Sequence, residues 1–131
     1  VKRSILAILA GFVAVVVTHL GTDALMHATG IFPAWGEPMS DVLFAVATLY
    51  RTLWGIAGSA LTAYLAPNRP IGHALVGGAI GMVLATAGAI ATWNAGPAFG
   101  PHWYPLILIA LALPQSWLGA KLAPRPRHAT S

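Results

Sequence analysis

The chain is 131 residues long, 57% hydrophobic and only 8% charged, with a mean hydropathy of +0.74. A soluble domain carries about a quarter charged residues, so this composition excludes a water-facing surface of ordinary polarity, and the length fits one domain. Seven Lys and Arg against three Asp and Glu give a formal charge of +4. That is too few basic residues for a nucleic-acid-binding face. The absence of cysteine excludes disulfides and thiolate metal sites.

About 20 mostly apolar residues are needed to cross a hydrocarbon core. Four stretches qualify: residues 4–26, 42–66, 71–93 and 103–123. The alternating pattern of a membrane barrel is absent, so the expected fold is all-α, a polytopic bundle of four transmembrane helices. Lys2 and Arg3 before the first run resemble the start of a signal peptide, but no small-x-small cleavage site follows, and the run is read as an uncleaved helix. Residues 124–131 form a short polar, proline-broken tail without a fold of its own.

The basic residues predict orientation. Lys2 and Arg3 precede span 1, Arg69 sits in the turn Pro67-Asn68-Arg69-Pro70, and Lys121, Arg125 and Arg127 follow span 4. All six fall on one side of a paired-hairpin topology. The opposite loops, 27–41 and 94–102, hold no Lys or Arg. The positive-inside rule then places both termini in the cytoplasm, and the charge excess reads as a topology signal.

The ends of spans 2 and 4 echo one another. Gly58-Ser59-Ala60-Leu61-Thr62-Ala63-Tyr64-Leu65-Ala66-Pro67 aligns without a gap to Gln115-Ser116-Trp117-Leu118-Gly119-Ala120-Lys121-Leu122-Ala123-Pro124, with six of ten positions identical. A two-hairpin parallel repeat about the membrane normal accounts for this. So does convergence of Ala/Leu helices stopped by proline.

Ionisable residues within a span are costly and default to functional candidates. His19, Asp23 and His27 follow i, i+4, i+8 spacing on span 1 and form one stripe. Arg51 lies nine residues into span 2, roughly 13 Å deep, at a level its side chain shares with Asp23. An Asp23–Arg51 pair between antiparallel neighbours satisfies both charges. In one reading this pair fixes helix register and His19 donates to a backbone carbonyl. In the other the stripe relays protons or binds a cation, since histidine titrates near neutrality. Zinc wants three or four ligands; the missing ones would have to come from Glu37 or His102, and no metal site is predicted. Single-histidine ligation of a tetrapyrrole by His19 remains open, whereas His73 lies at the wrong depth to complete a bis-histidine haem. No cofactor is predicted.

Small residues recur every fourth position at Gly55, Ser59 and Ala63 on span 2 and at Gly77, Gly81 and Ala85 on span 3. Such stripes let helices approach closely in lipid, either inside the bundle or against another chain. Pro114 is expected to kink span 4 and to free a carbonyl near Ala110 or Leu111. Trp35, Trp93, Trp103 and Tyr104 suit the headgroup level, in loops stiff enough to act as a lid or docking surface. Ser40 is an expected N-cap for span 2, with Asp41 in its first turn. No nucleophile elbow, phosphate loop, HExxH or dinucleotide fingerprint is present, so an enzyme is not expected.

Gly21-Thr22-Asp23, His27, Phe32-Pro33, Pro38-Met39-Ser40-Asp41, Tyr50-Arg51 and the run Phe99-Gly100-Pro101-His102-Trp103-Tyr104-Pro105 resemble an uncharacterised family of small four-helix bacterial inner-membrane proteins. The resemblance covers nearly the whole chain. It implies a bacterial inner-membrane location and carries over no activity or site. The expected function is that of a non-catalytic integral membrane protein, whose partners are the lipid bilayer and either its own copies in a homo-oligomer or the other subunits of a larger membrane complex. The alternative is a small proton-linked transporter or channel built on His19, Asp23 and Arg51.

Overall fold

A computed structural model of the protein describes residues 1–96 and 99–124. It contains four helices, α1 (Lys2–Ala28), α2 (Asp41–Leu65), α3 (Pro70–Thr92) and α4 (Trp103–Leu122). Each is long and apolar enough to span a membrane. The basic tail residues Arg125 and Arg127 lie outside the described residues.

Local chemistry sets the helix ends. The Ser40 hydroxyl accepts from the Leu43 amide at 3.3 Å and Asp41 sits in the first turn of α2, where a carboxylate opposes the positive end of the helix dipole. At its other end α2 stops at Leu65, and Ala66 is extended before Pro67, as a residue preceding proline must largely be. Arg69 takes a left-handed conformation, φ 43°, and Pro70 then starts α3 at a position where no amide is required. This tight turn makes α2 and α3 antiparallel neighbours. Pro114 does not interrupt α4, which runs unbroken from Trp103 to Leu122.

The bundle is centred on α2 and α4; α1 packs on α2, α3 packs on α4, and α1 meets α3 only lightly. That light contact includes a hydrogen-bonding pair at the end bearing the chain terminus, where His73 Nε2 and Ser4 Oγ lie 2.7 Å apart. The interior is small. Ala63, Ala74 and Ala120 form the buried cluster, and Ala63 and Ala120 occupy equivalent places in the two echoing segments. Ser116, its hydroxyl donating to the Ala112 carbonyl at 2.7 Å, is the largest fully buried side chain. The larger apolar residues Leu9, Val17, Leu49, Leu53, Val83, Ile90 and Leu106 point outward, as suits helices solvated by lipid.

Close backbone approach occurs at glycine. A Cβ at Gly58 would collide with Val15, one at Gly119 with the α2 backbone, and one at Gly55 with the Gln115 side chain. Ser59 lies against Gly119, so the α2 stripe of Gly55 and Ser59 packs inside the bundle. The α3 stripe behaves differently. Gly77 and Gly81 have open space where a Cβ would stand, and it is Gly78 that presses on Ser116 and the Ala112 carbonyl. On α3 the close contact with α4 is therefore made by Gly78, and not by Gly77 or Gly81. Consecutive glycines sit about 100° apart around a helix, so both faces are bare in sequence and only the rotation of α3 against α4 selects one.

Candidate functional site

Away from the chain terminus, α1 and α2 are joined by polar side chains. Asp23 accepts twice: from the Tyr50 hydroxyl on Oδ1 and from Arg51 Nη2 on Oδ2. Asp23 and Arg51 thus form an ion pair, with side chains 13% and 25% exposed respectively. One turn deeper, His19 Nε2 donates to the Arg51 carbonyl at 3.0 Å. On a neighbouring face Trp54 Nε1 donates to the Thr22 hydroxyl at 2.9 Å. The helical repeat explains the set: residues 19, 22 and 23 share one face of α1 and meet consecutive turns of α2.

The pairing leaves an imbalance. Arg51 carries five N–H donors, Asp23 engages Nη2, and Nε is buried without a partner among the described residues. Both carboxylate oxygens, by contrast, have a donor.

His27 does not join the ion pair. Its Nδ1 donates to the Pro33 carbonyl at 2.6 Å and its ring stacks on Trp35, with centroids 3.6 Å apart and planes 25° from parallel. Phe32 is buried against the ring edge at 5.2 Å. His27 thus folds the 29–40 loop back over α1. The second loop is locked in the same manner: His102 stacks on Trp93 at 3.7 Å and donates through Nε2 to the Trp93 carbonyl at 2.9 Å.

Between the ion pair and these loops lies a cavity of about 420 Å³. Asp23, Tyr50 and Arg51 line it on the membrane side, and His27, Trp35 and Glu37 on the loop side. Tyr104 and Phe99 reach it from the second loop and the start of α4, and Phe44, in contact with Tyr104 at 4.9 Å, closes another wall. A space of this size is in the range of small-molecule sites, about 300–1,000 Å³. A separate void of about 80 Å³ lies between the four helices nearer the terminus-bearing end, beside Gly58, Thr62 and Gln115.

Among the described residues no three His, Cys, Asp or Glu side chains converge as a metal would require. The proposed extra ligands are engaged elsewhere or apart: His102 bonds Trp93, and Glu37 is exposed at the cavity's loop side. His19 has committed Nε2 to Arg51, which leaves Nδ1 alone for any tetrapyrrole.

Depth along the spans brings Asp23 and Arg51 together but gives no role to Tyr50, the second donor to Asp23. Its signal was adjacency to Arg51 on a helix facing a lone carboxylate. Tyr104 and Phe99 had no such signal, because their nearness to Arg51 depends on how α4 enters the bundle. Comparison of the chain with protein-family models, curated proteins and solved structures finds no match. The class that fold and site define is a four-helix membrane protein with an ion pair facing an end cavity.

Proposed function

We propose that the chain is a non-catalytic, proton-linked transporter of a small solute, entered from the side opposite the termini. One observation carries this reading: the Asp23–Arg51 pair, set within the spans, forms the wall of a cavity shared with both loops. An ion pair serving register alone has no need of a cavity beside it. His19, bonded to the Arg51 carbonyl, supplies a group that ordinarily titrates near neutrality next to the pair. The placement of Lys2, Arg3, Arg69 and Lys121 supports cytoplasmic termini, and the family resemblance supports a bacterial inner membrane. Reconstituted into liposomes, the protein is expected to give solute flux that depends on the pH gradient and is lost in Asp23→Asn. Absence of flux across a broad solute panel overturns the reading.

A second reading, a homo-oligomer or accessory subunit of a larger membrane complex, is favoured by Gly81, where a Cβ would meet nothing within 4 Å. Bare backbone on a membrane helix suits close contact with another helix. Native mass spectrometry from membranes tests it; a monomer that retains no partner contradicts it.

A further inference from the structure

We infer that the end cavity binds an aromatic monocarboxylate, its carboxylate held by Arg51 and its ring lying among the aromatic side chains. The inference rests on the transport reading for the cavity's role and names the solute class.

The hydrogen bonding of the ion pair is unbalanced. Asp23 has both oxygens occupied and is 13% exposed, so it offers little to a cation. Arg51 is the more exposed partner at 25%, and among the described residues Asp23 engages only one of its three nitrogens, Nη2. A guanidinium partly withdrawn from water with donors left unpaired is costly. What the site lacks is thus an acceptor oxygen. Carboxylate is the acceptor best matched to guanidinium, in charge and in planar geometry. Tyr104 lines the same cavity from α4 and adds a hydroxyl donor.

The remaining surface selects the body of the ligand. Phe32, Trp35, Phe44, Phe99 and the two tyrosines bring six aromatic rings to the lining. Rings in offset or edge contact attract one another beyond the gain from burial alone. Aromatic walls also suit an organic cation, and Glu37 at the loop side favours one electrostatically. A cation seated against the ion pair, however, would be repelled by the guanidinium, the more exposed partner. Glu37 is exposed, where screening by water and salt weakens its repulsion of an anion.

Equilibrium dialysis of the full chain in mild detergent against benzoate, benzamide and benzyltrimethylammonium separates these chemistries. Benzoate is expected to bind at least tenfold more tightly than either of the others. Arg51→Lys is expected to weaken benzoate at least tenfold and Tyr104→Phe several-fold, while Glu37→Gln strengthens it. The last two variants leave the ion pair in place and keep the test decisive if Arg51→Lys fails to fold. Preference for benzyltrimethylammonium, equal binding of benzamide, or no binding of any probe overturns the assignment. Benzoate bound without flux in liposomes upholds the ligand class and removes the transport reading; flux of another solute without benzoate binding does the reverse.

Discussion

Substituting Gly119 by alanine tests the packing that holds the site in place. A Cβ there would stand 2.8 Å from Ser59 Cβ and 3.0 Å from the Ala60 amide nitrogen, and closer still to the Ile56 carbonyl oxygen. Two of these three atoms are backbone, so no rotamer change relieves the collision. Carbon atoms prefer separations of about 3.5–4.0 Å. The α2–α4 contact must therefore open by about 1 Å, at the centre of a bundle whose interior is mostly alanine and glycine. Overpacking of this kind costs about 1–3 kcal/mol, and the rigid neighbours place Gly119→Ala near the upper figure. Gly81→Ala is the internal control, since a Cβ there meets nothing within 4 Å and alanine favours helix over glycine by up to about 1 kcal/mol. Reversible unfolding in mixed dodecylmaltoside–SDS micelles, followed by far-UV circular dichroism, measures both. A Gly119→Ala variant as stable as the parent refutes the close α2–α4 contact. A loss in Gly81→Ala larger than that in Gly119→Ala refutes the assigned rotation of α3.

Four further outcomes follow from the polar contacts and from the proline within α4. Tyr50→Phe removes one of two donors to Asp23 and should lower stability by about 1 kcal/mol in the same titration. Asp23→Asn strips a partly buried guanidinium of its counter-charge and should cost more, about 2 kcal/mol, moderated by the partial exposure of Arg51; a cost equal to or below that of Tyr50→Phe contradicts the ion pair. His27→Ala removes both the stack on Trp35 and the bond to the Pro33 carbonyl. Hydrogen exchange should then quicken across residues 29–40 and stay unchanged in α3. Pro114→Ala restores a backbone donor on an exposed face of α4 and should leave stability equal or raised, read by the same unfolding assay.

Much of the fold was legible because lipid imposes simple constraints. Continuous apolar runs, broken at Ser40-Asp41 and at Pro67 and Pro70, predict spans that differ by at most two residues from α1 to α4 at either end. The Asp23–Arg51 level follows from rise per residue on two antiparallel helices. Helix rotation is not fixed by the residue pattern. Gly77 and Gly78 are equally bare in sequence, and the choice between them is made by Ser116 and Ala112 on a helix nearly forty residues away. The cavity was hidden for the same reason: Tyr50 is one position from Arg51, whereas Phe99 and Tyr104 join it through the docking of α4 on α2 near Phe44. The His27–Trp35 and His102–Trp93 stacks were foreshadowed only as aromatic, proline-rich loops.

The central claim is that the Asp23–Arg51 pair serves a solute in the end cavity. Solute uptake into proteoliposomes under an imposed pH gradient, compared between the parent chain and Asp23→Asn at equal reconstituted amounts, tests it most directly. Gradient-dependent uptake is expected in the parent chain and background uptake in the variant. Uptake that survives intact in Asp23→Asn, or that is absent from the parent chain, contradicts it.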